Sequence, residues 1–140
     1  MLHGLDTVSI DIERLHPDSA LGGVTPQALR EELVVNLQQA GLQVSPLDGR
    51  STPPDRSQLS LSVNMTPIEN FPMYSVFITL KLRQNACLTH NLIICEPVTT
   101  WEETSTVRTM SVSQLTEMRQ EVRTLIARFV DAYLEENSKH

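Results

Sequence analysis

Hydrophobic and polar positions alternate along much of this chain, and the period changes from segment to segment. Val8, Ile10 and Ile12 alternate with Thr7, Ser9, Asp11 and Glu13, a period of two that predicts a half-buried strand ended by His16-Pro17-Asp18. Gly22-Gly23 reads as a flexible joint before Thr25-Pro26, where Thr25 suits a helix cap and Pro26 the first helical position. Leu29, Leu33, Leu37 and Ala40 then recur at helical spacing, Val34 widens the stripe, and Gly41 is placed to end the helix in a left-handed conformation. Leu42-Gln43-Val44 predicts a short strand. Residues 45–57 follow with three prolines and an Asp48-Gly49 turn signal, a connection long enough to carry function.

The clearest alternation comes next. Leu59, Leu61, Val63 and Met65 point one way in an extended chain, and Ser60, Ser62 and Asn64 the other. After an interruption at 67–72, Tyr74, Val76, Ile78, Leu80 and Leu82 repeat the pattern. Ser75, Thr79, Lys81 and Arg83 lie opposite them, where Phe77 is the exception. Such a pattern implies a sheet covered on one side, with the other side wet or held for a partner. Thr89-His90-Asn91 predicts a turn into 92–95, and Pro97 demands an edge or a bulge before 98–101. Ser111 with Gln114 has capping-box spacing. Leu115, Met118, Val122, Leu125, Ile126, Phe129 and Tyr133 then form one face of a long amphipathic helix, the expected cover of the sheet. The order β-α-β-β-β-β-α describes an α+β two-layer sandwich over a single domain, 1–140. Its mixed, mostly antiparallel sheet has four to five strands, with both helices on one face.

Composition narrows the function classes. Eleven basic residues against 17 acidic ones give a net charge of −6, and neither half is basic: 4 basic and 9 acidic residues in 1–70, 7 and 8 in 71–140. Duplex nucleic acid needs a basic surface to displace its counterions, so it is not an expected partner. No stretch is long and apolar enough for a membrane span, and Met1-Leu2-His3-Gly4 begins no signal peptide. The four histidines, His3, His16, His90 and His140, are scattered over termini and turns with no zinc-site pattern among them, so no metal site is expected. Phosphate loops and nucleophile elbows are missing, and the acidic pairs Glu31-Glu32, Glu102-Glu103 and Glu135-Glu136 are adjacent residues that diverge. No cofactor and no catalytic residue is expected.

The candidate interaction residues are Trp101, Phe77, Lys81, Arg83, Phe71 and Tyr74. Trp101 is the only tryptophan and reads either as a core aromatic under the last helix or as an interface anchor. Phe77, Lys81 and Arg83 mark the polar strand face, and Phe71 and Tyr74 flank a turn. Cys87 and Cys95 make a candidate disulfide. A hairpin centred on Asn91 sets them opposite each other, whereas a two-residue His90-Asn91 turn offsets them by one position.

Residues 59–137 resemble an uncharacterised family of small exported bacterial proteins. The matching residues are the alternating strand 59–65, Tyr74-Ser75-Val76, Leu82 with Gln84, Thr100-Trp101, and Phe129-Val130-Asp131-Ala132-Tyr133-Leu134 with Asn137. Upstream, Leu29 through Gly41-Leu42-Gln43-Val44 also fits. The element order is similar to that of lipoproteins assisting outer-membrane lipid transport and assembly. The resemblance implies a periplasmic or exported location and a non-catalytic binding or assembly-accessory role, with a protein or lipid partner. Self-association is expected as a homodimer through a sheet edge or the hairpin. The alternatives are a small enzyme with a site built from the 45–57 loop and strand ends, and a single-stranded RNA-binding domain using the open sheet face.

Overall fold

The computed structural model describes residues 2, 4–45, 57–88 and 91–138, the side chains of 86–88, 91–95 and 97 excepted. Its elements are β1 (Thr7–Ile12), α1 (Pro26–Gln39), β2 (Gln43–Val44), β3 (Ser57–Pro67), β4 (Met73–Leu88), β5 (Asn91–Thr104), β6 (Arg108–Ser111) and α2 (Glu117–Asn137). Short 3-10 turns cover Pro17–Gly22 and Val112–Gln114. The sheet runs β2-β1-β3-β4-β5, and β6 pairs with β4 where β5 has ended. β1 is parallel to both β2 and β3, while β3, β4 and β5 form the antiparallel meander that the alternation predicts.

Local chemistry fixes where α1 begins and ends. Thr25 Oγ1 accepts from the backbone N–H of Ala28 at 3.1 Å, which satisfies one of the free donors at the helix start. At the other end Gly41 takes φ 95°, and the N–H groups of Gly41 and Leu42 donate to the carbonyls of Gln38 and Leu37. Buried Leu42 seals this Schellman arrangement and leads directly into β2.

Helical and sheet stripes meet in one core. Leu59, Leu61, Val63, Met65, Val76, Ile78, Leu80 and Leu82 are buried together with Leu29, Leu33 and Leu37 of α1 and with Val122, Leu125, Ile126 and Phe129 of α2. This is the expected register: each strand sends its odd or even set inward, and both helices cover that side. An ion pair from Arg123 Nε to Glu32 Oε1 at 2.7 Å joins α2 to α1 at the surface.

Pro97 lies on the edge strand β5, one of the two places expected for it, and pairs in register with Asn85; separately, Leu82 pairs with Trp101 but Arg83 with Thr99, which leaves Thr100 extra as a bulge. Three expectations need correction. The chain after the hairpin is one long strand, and Arg108–Ser111 is an additional strand. Gln114 Oε1 does accept from the Ser111 N–H at 2.9 Å, but this closes the 3-10 turn, and α2 starts only at Glu117. Gly22-Gly23 is not a flexible joint. Gly22 is buried so close to the Leu115 backbone that a Cβ there would lie 2.3 Å from the Leu115 carbonyl oxygen.

Candidate functional site

Strand β4 passes through the middle of the sheet and positions most of the candidate side chains. Its two faces lead to different places, so the sequence-predicted residues do not converge on one site. Phe77, Lys81 and Arg83 share the outer face, away from both helices. Phe77 stands opposite Asn64, Lys81 between Ser60 and Glu102, and Arg83 between Gln58 and Thr99. The row across the sheet therefore reads Asp11, Ser60, Lys81, Glu102, with Lys81 between a serine and a glutamate. Arg83 is exposed, and Phe77 and Lys81 are half-buried.

The outer face is not uniformly wet as its polar sequence suggested. Ser9 and Ser60 are buried there. Both sit on interior strands, where Ser60 stands between Asp11 and Lys81 in register. The Ser9 hydroxyl lies 3.4 Å from the Ser57 carbonyl oxygen, to which it donates. Among the described residues every buried side-chain nitrogen or oxygen has a partner.

Trp101 is on the opposite side. It is half-buried and meets Phe129 of α2 edge to face, with ring centroids 5.1 Å apart and planes at 73°. That geometry matches the quadrupole preference of aromatic pairs and makes Trp101 part of the sheet–helix contact. Phe71, in the β3–β4 turn, is 65% exposed and is remote in register from the Phe77, Lys81 and Arg83 row. The backbone register pairs Cys87 with Cys95. Of the 45–57 connection, residues 46–56 lie outside the described residues; Ser45 is buried beside β1, its N–H donating to the Val8 carbonyl at 2.8 Å.

Tyr74 reaches a cluster that sequence reasoning missed. Its hydroxyl donates a hydrogen bond to Asp18 Oδ2, and its ring meets His16 edge to face at 5.9 Å. His16 Nδ1 accepts from the Asp18 N–H at 3.1 Å and so caps the 3-10 turn. A neutral ring in this position carries its proton on Nε2. The hydrogen bond to Asp18 raises the Tyr74 pKa above its usual value, with desolvation and the carboxylate charge acting in the same direction. The available signal was a hydroxyl at a position whose register points toward the core, which needs a partner. A cavity of about 400 Å³ adjoins this cluster between the end of β1 and the start of α1, lined by Leu15, His16, Ala20, Val24 and Pro26 among others. A shallower one of about 580 Å³ lies between Gly22-Gly23 and the start of α2, beside Arg119 and Arg123. Among the described residues no three His, Cys, Asp or Glu side chains gather as metal ligands.

The sheet also has a long free margin. Among the described residues β5 pairs only with β4, so its other side is an edge of 14 residues. No helix among them is long and apolar enough to cross a membrane.

Comparison with known proteins gives no family: no family model matches the chain, and no curated protein does. Among solved structures, a hypothetical protein from Chlamydia trachomatis is similar at 12% identity, over 92% of this chain and 97% of that one, with a TM-score of 0.46. A PelC variant that forms a dodecamer, from Paraburkholderia phytofirmans, is similar at 15% identity over 91% and 87%, with a TM-score of 0.44. A minor lipoprotein from Acinetobacter baumannii is similar at 18% identity over 91% of each chain, with a TM-score of 0.36.

Proposed function

We propose that this chain is a non-catalytic binding or assembly-accessory module of the bacterial cell envelope, which associates first with a second copy of itself through the β5 edge. The observation that carries the reading is that edge. A strand presenting unpaired backbone donors and acceptors over 14 residues is a template for another strand. An antiparallel pairing of β5 with its symmetry mate is self-complementary, as a twofold dimer requires. Pro97 and the Thr100 bulge interrupt the edge midway, which leaves the stretches on either side of them to pair. The acidic surface is compatible with a protein partner and opposes a polyanionic one. The envelope location rests on the resemblance of residues 59–137 to small exported bacterial proteins.

Sedimentation equilibrium of the chain at high micromolar concentration tests the association. A twofold mass is expected, and it should fall to the monomer value in Val98→Lys, which sets a charge on the edge at a residue that is 38% exposed. A strictly monomeric parent would refute the self-association. Fractionation of the native source tests the location, and recovery in the cytosol alone would refute it.

A further inference from the structure

We propose that a disulfide joins Cys87 to Cys95 and staples the arm formed by the distal halves of β4 and β5. Three observations support it, and none depends on the reading of the chain as an assembly module. The first is register. From Asn85–Pro97 through Ala86–Glu96 the ladder continues unshifted to Cys87–Cys95, which makes the two cysteines direct backbone partners. Neither hairpin geometry open to the sequence is the one found: Asn91 pairs with Leu88, and a register shift between that pair and the next sets the cysteines opposite each other. Directly opposed residues of antiparallel strands have Cα atoms about 4.5–5.5 Å apart, within the roughly 4.4–6.8 Å that a disulfide spans.

The second observation is where the pair lies. Cys87–Cys95 is the last regular pair of the arm. The next pair, Leu88 with Asn91, comes after a register shift that takes up Leu92, Ile93 and Ile94 on the β5 side. A cross-link at this position closes the ladder where regular pairing ends. The third is the missing neighbour. The β3–β4 ladder stops at Gln58–Arg83, so beyond Arg83 the described strands of the arm pair only with each other. An isolated two-stranded ribbon is marginal in water and needs a third strand, a packed face or a covalent tie. The chain has two cysteines, and both are at this one position.

The chemistry is thiol–disulfide exchange with a disulfide oxidant such as oxidised glutathione. One cysteine thiolate attacks the oxidant, forms a mixed disulfide and releases one glutathione thiolate. The second thiolate then attacks the protein sulfur of that bond and releases the other glutathione. Overall the two cysteine thiols lose two protons and two electrons, and the oxidant gains them as two thiols. Such a bond persists in oxidising compartments and is rare in reducing cytosol.

The test uses the full folded chain, exposed to oxidised glutathione and then denatured and alkylated with iodoacetamide, with and without prior reduction. The expected intact mass carries no alkyl group before reduction and two after it, on a species that runs as a monomer on a non-reducing gel. Two alkyl groups without reduction, stable glutathione adducts at both sites, or covalent dimers alone would each overturn the bond. Amide hydrogen exchange of residues 84–98 then tests the stapling. Slower exchange in the oxidised chain than in the reduced chain supports it, and equal exchange overturns it. Self-association is read separately from mass under reducing conditions, so either idea can fail without the other.

Discussion

Adding a single methyl group at Gly22 tests whether the Pro17–Gly22 turn is clamped against the entrance to α2. A Cβ there would lie 2.3 Å from the Leu115 carbonyl oxygen, 2.5 Å from its carbon and 2.9 Å from Leu115 Cβ. Ordinary contacts begin near 3.4 Å, so the turn and the α2 entrance must separate by about 1 Å. The obstacle is backbone, and Leu115 is itself fully buried, so no flexible side chain can swing away. Overpacking of this kind costs about 1–3 kcal/mol, and a rigid obstacle puts Gly22→Ala near 3 kcal/mol. A chain of this length has an unfolding entropy of about 0.3 kcal/mol/K, so the expected loss in Tm is about 10 °C. Gly23→Ala is the internal control. Its nearest neighbour would be Arg119 Cδ at 3.6 Å, and its penalty is only that of a φ of 76°. That conformation costs an alanine about 1–2 kcal/mol, or roughly 3–7 °C. Thermal melts followed by circular dichroism, with urea titration for the free energies, measure both. A Gly22→Ala protein melting within about 2 °C of the parent, or a Gly23→Ala protein less stable than it, would refute the clamp.

Other substitutions probe the core, the caps and the Tyr74 cluster. Phe129 is fully buried beneath Trp101, so Phe129→Ala should cost about 3–5 kcal/mol in urea unfolding and shift the emission of the single tryptophan to longer wavelength. Thr25→Ala removes the acceptor for the Ala28 N–H and should cost about 1 kcal/mol, with an unchanged fold by circular dichroism. Because the folded-state pKa of Tyr74 is raised, its contribution to stability is present below the usual tyrosine value and is lost as pH rises through the folded value. Ultraviolet titration of Asp18→Asn should therefore show Tyr74 ionising at lower pH than in the parent, and an unchanged titration would count against the hydrogen bond.

The sequence by itself determined the faces. Strand alternation over 59–65 and 74–82, and the helical stripes of Leu29–Leu33–Leu37 and Leu125–Phe129, are one-dimensional signals, because side-chain direction repeats every two residues in a strand and every 3.6 in a helix. Burial follows that period wherever one side must leave water, and so the inward set was legible. The caps at Thr25 and Gly41 were legible for a similar reason: their chemistry lies within a few residues along the chain. Contacts between distant segments were decided only by the tertiary structure. The approach of Gly22 to Leu115, the reach of Tyr74 to Asp18 and the burial of Ser60 on the polar face each depend on how separate elements are set beside one another. The Cys87–Cys95 register is of the same kind. Period two tells which face a strand residue takes, but the hairpin and its bulges choose its partner, and a shift of one position changes every pair.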